Sequence, residues 1–235
     1  MLPLERQEAY RSRYARENPR WRPATHIYRD RIAAHLTSET RLLDLGCGRG
    51  GVVEQLWNAP GRWIGIDPDL SSLREHRLPS LPRLCGQAER LPFPDDAFDL
   101  VCCSWVLEHL PHPTRALAEV ARVLTPAGRF IFLTPNRLHP LLALNRLLGW
   151  SQGWLVDRLY GRSTADTFPA LYQANTLKEI KNLLVQVGLK PVDLTLVGDP
   201  TYLAFTAPLY RLSCLLERVL PSILRIHIVG EAVHK

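Results

Sequence analysis

Residues 41–51, RLLDLGCGRGG, constrain this chain more than any other stretch. The apolar run Leu42, Leu43 and Leu45 stops at alternating glycines, Gly46, Gly48 and Gly50, with Gly51 adding a fourth. This pattern predicts a buried strand entering a turn free of bulky side chains, then a helix packed through Val52, Val53, Leu56 and Trp57. Glycine takes φ > 0 at little steric cost and lets backbone N–H groups approach a ligand at the head of a helix. The stretch therefore points to a ligand site on an α/β sheet.

Two acids narrow the ligand. Gly46-x-Gly48-x-x-Gly51 satisfies the dinucleotide pattern, and Asp67 follows at about the twenty-residue distance of a ribose-binding acid. Asp67 ends a second short apolar run, Arg62–Asp67, and Pro68-Asp69 opens the next helix. Asp44 argues against NAD: a carboxylate at the mouth of the turn repels a pyrophosphate and attracts a ligand carrying an ammonium and a sulfonium. S-adenosylmethionine is such a ligand.

With these residues the chain resembles the class I S-adenosylmethionine-dependent methyltransferases, particularly the small-molecule branch that includes the quinone-biosynthesis enzymes. The resemblance covers residues 41–136 well and 176–197 moderately. It places Asp44, Gly46, Cys47, Gly48, Asp67 and Pro68 at the cofactor. It also identifies Cys85-Gly86-Gln87-Ala88-Glu89 with Leu91-Pro92-Phe93 as the adenine-side segment. There Gln87 stands where the family carries an acid, its carbonyl able to accept from the adenine amine, with Ala88 and Glu89 beside it and Leu91 and Phe93 as an apolar wall. Residues 98–104, FDLVCCS, read as a central strand covered on both faces, and the backbone around Ser104 is implied to face the methionine end of the cofactor. His109 follows, either a base and substrate-orienting residue or a structural residue closing the loop.

The implied fold is α/β: a seven-stranded Rossmann-like methyltransferase sandwich, mostly parallel, with an antiparallel edge hairpin and helical lid insertions. With 235 residues the chain suits one such domain. It divides into an N-terminal helical arm (1–36), a cofactor-binding core (41–136), a lid insertion (137–175) and a second helical insertion (201–222). The arm breaks near Asn18-Pro19 and Pro23, and its second helix carries Ile27, Ile32, Ala33 and Leu36 on one face. Tyr14 and Tyr28 either reach the cofactor from this arm or pack it onto the body. Residues 112–124 are an amphipathic helix ending at Pro126-Ala127-Gly128, and Arg129–Thr134 is the next strand. Leu177–Val187, capped by Asn175 or Thr176 and ended by Gly188, is a further helix, and 192–197 and 226–229 are the late strands.

The lid insertion is rich in leucine, tryptophan and arginine, and His139 and Tyr172 are its candidate acceptor contacts, the aromatics otherwise serving to glue the lid down. Two apolar insertions favour a hydrophobic or amphipathic acceptor, such as a lipid, quinone or glycolipid precursor, met at a membrane surface. The formal charge is +6, and residues 1–31 hold eight arginines against four acids. That arm keeps an RNA methyltransferase in view, although aromatic and basic residues do not interleave in the nucleic-acid manner. A non-catalytic cofactor-binding scaffold is the third reading. Five cysteines without a CxxC pair, scattered histidines and a start without a signal-peptide core lead to the expectation of a reduced cytoplasmic protein without a metal site.

Overall fold

The computed structural model describes residues 3–147, 169–202, 204 and 206–235. Seven strands form one sheet: β1 (Arg41–Leu45), β2 (Arg62–Asp67), β3 (Arg83–Cys85), β4 (Phe98–Ser104), β5 (Leu124–Pro135), β6 (Leu189–Val197) and β7 (His227–His234). Their order is β3-β2-β1-β4-β5-β7-β6. The first five run parallel, and β7 pairs antiparallel with both β5 and β6. The chain thus leaves β1 in one direction and returns on its other side at β4, which makes the β1/β4 junction the place where a crevice opens.

Alternation along the strands sends neighbouring side chains to opposite faces. On one face Leu43, Leu45, Val101, Cys103, Phe130 and Phe132 pack with Leu117 and Val120 of α4 (Pro113–Val123) and Ile180 and Leu184 of α6 (Leu177–Gln186). On the other, Leu42, Leu100, Cys102, Ile131 and Leu133 pack with Tyr28 and Ile32 of α2 (Ala24–Ala33) and with Val52 and Val53. A sheet covered on both faces explains why β1 and β4 lack the apolar–polar alternation of a half-exposed strand. Each fully buried large apolar side chain, such as Leu43 or Phe130, contributes roughly 1.5–3 kcal/mol of transfer free energy.

Four expectations are corrected. The segment after the glycine turn is a 3₁₀ turn over Val52–Leu56, not an α-helix. Pro60-Gly61 follows within one further turn, and a residue before proline is biased out of the α region. In α2 the buried stripe is Ala24, Tyr28 and Ile32, at i, i+4 and i+8, which leaves Ala33 exposed. β5 begins at Leu124 directly from α4, with Ala127 at φ 63°, and β7 extends to His234. Leu91 joins the core under the sheet and Phe93 packs edge-on against Phe98, ring centroids 4.9 Å apart, so they form no wall beside a ligand.

The arm is α1 (Pro3–Glu17) followed by α2, and Tyr14 and Tyr28 both pack it onto the body: Tyr28 is fully buried, and Tyr14 sits edge-on to Trp21 beside Tyr210. Of the lid insertion, α5 (Pro140–Leu147) lies within the described residues, and Trp150, Trp154, Arg158 and Arg162 lie outside them. Thr176 caps α6 by accepting Glu179 N–H, and Gly188 follows at φ 88°. The late hairpin is split by α7 (Ala207–Val219), capped by Thr206. Among the described residues no helix is long and apolar enough to cross a membrane.

Candidate functional site

A cavity of about 710 Å³ opens at the carboxyl ends of β1, β2 and β4. Its floor is the glycine turn, where Gly46, Gly48 and Gly50 take φ of 77°, 49° and 102°. Gly46 N–H donates to Ile66 O at 2.8 Å, which folds the turn across the end of β2. A Cβ on Gly46 would fall within van der Waals contact of Val106 Cγ2, so both conformation and space demand glycine there.

Two buried aspartates face this cavity. Asp44, at the end of β1, is 6 % exposed; burial pushes its pKa from 3.8 up to about 7, Asp67 and Glu54 add repulsion, and the Cys102 thiol, donating to Oδ1 at 3.8 Å, opposes the rise. Asp67, 7 % exposed, accepts Gly48 N–H at Oδ2 (2.9 Å) and Asp69 N–H at Oδ1 (2.8 Å). Burial still carries its pKa upward against those donors. The helix after β2, α3 (Leu70–Arg74), is capped by Asp69, whose carboxylate accepts from Ser71 and Ser72 N–H, so Asp67 is released from that task. Among the described residues no cation forms an ion pair with Asp44 or Asp67.

Cys47, Pro68, Gln87, Ala88, Glu89, Ser104 and His109 line the same cavity, so the structure brings all ten cofactor-side candidates and His109 together. Gln87 is exposed and Ala88 buried, and Glu89 Oε1 is buried without a hydrogen-bond partner among the described residues. His139 and Tyr172 are not among the described lining residues. Burial and the neighbouring His227 lower the pKa of His139 to about 4, its Nδ1 accepts Leu141 N–H, and Tyr172, at φ 53°, donates its backbone N–H to Glu108 O.

His109 Nδ1 lies 3.2 Å from Pro169 O. A carbonyl only accepts, so Nδ1 carries the proton and Nε2 is the basic nitrogen of the neutral ring. Glu108 Oε1 is 3.9 Å from that Nε2, and Glu108 Oε2 accepts the Thr134 hydroxyl at 2.9 Å. Burial pushes Glu108 to about 7. Thr134 in turn accepts Asn175 Nδ2 at 2.6 Å, a buried chain from β5 to the head of α6.

Sequence reasoning missed Trp105, Val106, His112 and Arg115 as lining residues. Trp105 holds φ 59°, donates its N–H to Leu133 O at 2.9 Å and meets the His227 ring edge-on at 5.1 Å. Left-handed backbone at a tryptophan carries no signal in the sequence. Arg115 sits in the first turn of α4, beside the cavity, where the available signal was its closeness to Ser104–His109.

The Methyltransferase domain family matches residues 43–132. A phthiotriol/phenolphthiotriol dimycocerosates methyltransferase of Mycobacterium ulcerans is 38% identical over 109 residues, 43% of this chain and 40% of that protein. The chain thus spans about two-fifths of the length of the curated relatives it matches. YcgJ of Bacillus subtilis superposes with a TM-score of 0.62 at 18% identity, over 89% of this chain and 99% of that one. Geranyl diphosphate C-methyltransferase of Streptomyces coelicolor, a complex with S-adenosyl-L-homocysteine, superposes at 0.60 with 12% identity, over 89% and 80%. Residues 43–132 thus match the Methyltransferase domain family, within a seven-stranded sheet whose Rossmann-like fold these solved structures share.

Proposed function

We propose that the chain binds S-adenosylmethionine in this cavity and transfers its methyl group to a hydrophobic or amphipathic small molecule, a lipid, quinone or glycolipid precursor. The observation that carries the reading is a pair of buried carboxylates, Asp44 and Asp67, facing one cavity with no ion-pairing cation among the described residues. Buried acids in that state favour a ligand that brings positive charge and hydroxyl donors. Asp44 takes the ammonium, Asp67 the ribose hydroxyls, and the turn from Gly46 to Gly48 admits the ligand against backbone. Gln87 and Ala88 read the adenine edge, and Glu89 Oε1 offers a further acceptor.

Bound S-adenosylmethionine supplies an activated methyl on its sulfonium. The protein's task is to hold the acceptor in line behind that carbon, and such positioning supplies about 7–11 kcal/mol. His109 Nε2 accepts the proton of a hydroxyl or acidic-carbon acceptor. Support for an apolar acceptor comes from the phthiotriol-type relatives and from the leucine-rich insertions. A cytoplasmic site of action follows from the same reading.

Calorimetric titration with S-adenosylmethionine, S-adenosylhomocysteine and NAD in parallel tests it. Micromolar binding of the first two supports the proposal, and binding of NAD alone replaces it with an oxidoreductase. RNA retained with a salt slope of several charges would move the acceptor to nucleic acid.

A further inference from the structure

Helix α7 leaves most of its apolar surface uncovered. Tyr210 is its buried anchor, stacked on Tyr10 of α1 with ring centroids 4.5 Å apart and packed with Tyr14 and Ala204. Leu212, Leu215, Leu216, Val219 and, beyond the helix, Ile223 are each at least half exposed, Val219 at 71 %. At 100° per residue, Leu209, Leu212, Leu215, Leu216 and Val219 share an arc of about 120°, on the side away from Tyr210. Arg211 and Arg218 lie along one side of that arc, Arg225 follows it, and all three are exposed.

Charge complementarity selects the occupant. The one acid between residues 206 and 225 is Glu217, half-buried against the body, with its pKa raised by that burial. The outward surface is therefore apolar, its exposed charges all basic and set along one side, the pattern of a helix that lies in a lipid interface with its stripe among acyl chains and its arginines at the phosphates. A second copy packed on the same stripe would bring in two more exposed arginines, with no exposed acid on either segment to meet them.

The stripe also runs toward the cavity. Asn136 Nδ2, just past β5, donates to Ile223 O (2.9 Å) and Arg225 O (2.8 Å), which fixes the end of this segment beside the exposed Leu138. Asn136 follows the carboxyl end of β5, the edge of the sheet on which the cavity opens. We infer that the outer face of α7, with Ile223 and its flanking arginines, is a docking surface for an anionic phospholipid bilayer, which presents an apolar acceptor at the mouth of the site. The purpose rests on the proposed apolar acceptor, and the docking itself does not.

Co-sedimentation of the full chain with phosphatidylcholine vesicles, with and without phosphatidylglycerol, tests the inference. The expected result is partition onto the phosphatidylglycerol vesicles, weakened at least tenfold by L212E/L216E. R211Q/R218Q should abolish the preference for the anionic vesicles. No partition, equal partition of wild type and L212E/L216E, or a dimer dissolved by L212E/L216E without vesicle binding overturns it. S-adenosylhomocysteine titration of each variant separates the two readings: retained affinity shows an intact fold and site, whereas vesicle binding by a wild type that ignores S-adenosylhomocysteine leaves docking standing and removes the cofactor assignment.

Discussion

The Asp67 carboxylate and the Gly48 amide, 19 residues apart in sequence, are joined by a 2.9 Å hydrogen bond that ties the glycine turn after β1 to the end of β2. Asp67 spends one lone pair on each of Gly48 and Asp69 and keeps others toward the cavity, so one side chain both shapes the turn and lines the proposed site. The strand order makes this possible by placing β1 and β2 side by side in parallel, with Leu45 level with Ile66.

Asp67→Ala should therefore weaken S-adenosylhomocysteine binding by about 1.5–3 kcal/mol, the loss of hydrogen bonds to a charged acceptor. Asp67→Asn should lose less, because its carbonyl oxygen still accepts Gly48 N–H. Calorimetry on the two variants checks the order, and an unchanged affinity in Asp67→Ala would take Asp67 out of the site.

The glycines separate by mechanism. Gly46→Ala meets Val106 in addition to adopting a left-handed φ, and should cost the most, about 2–4 kcal/mol with loss of binding. Gly48→Ala has only the backbone penalty, of about 1 kcal/mol, since the nearest atom to its Cβ is Asp67 Oδ2 at 3.8 Å. Gly51 is extended at φ −171° with open space around its Cβ position, so Gly51→Ala should be within about 0.5 kcal/mol of wild type by urea unfolding.

That third glycine marks what the sequence could and could not convey. Gly46 and Gly48 were legible because a strand running into left-handed turns leaves a composition signature, and Asp44 and Asp67 because they close two adjacent parallel strands. Gly51 satisfied the dinucleotide pattern by coincidence: the following segment is a 3₁₀ turn, with no long helix to approach the strand closely. β4 was legible to the residue, since the unbroken apolar run Leu100–Cys103 at its centre fits a strand covered twice. Trp105, Arg115 and the Glu108–Thr134–Asn175 chain were not, because contacts across 26 to 41 residues follow from where β5 and α6 lie and not from any local pattern. Leu91 and Phe93 misled for the same reason: an apolar pair after the adenine segment fits a ligand wall or the core, and packing sent it to the core.

In the proposed site, Asp44 should give cofactor binding a pH dependence. With a pKa of about 7 it holds its proton below neutrality, and an ammonium ligand selects the carboxylate, so binding releases a proton there. Affinity for S-adenosylhomocysteine should rise by up to tenfold per pH unit between about 5.5 and 7 and then level off, and Asp44→Asn should bind weakly with a flat profile. Its contribution to stability has the opposite slope. The folded state holds a proton that the unfolded chain releases near 3.8, so this contribution is fully present below that value and is lost as pH rises through about 7. Asp44→Asn should accordingly gain most over wild type above pH 7, measured by urea unfolding at pH 5 and 8.

The buried chain behind His109 should be energetically coupled. Thr134 is fully buried, donates to Glu108 Oε2 and accepts from Asn175 Nδ2, while Leu171 and Tyr172 N–H both donate to Glu108 O. Thr134→Val keeps the shape and removes the hydroxyl, leaving a buried carboxyl oxygen without its donor and Asn175 with Pro135 O as its remaining acceptor, a cost of about 1–3 kcal/mol. Glu108→Gln places an amide where that oxygen was, and in this background Thr134→Val should cost less, because the desolvated carboxyl it exposes is gone. A double-mutant cycle by urea unfolding should give a coupling of at least about 0.5 kcal/mol. Strict additivity would mean that the Thr134 hydroxyl does not support Glu108.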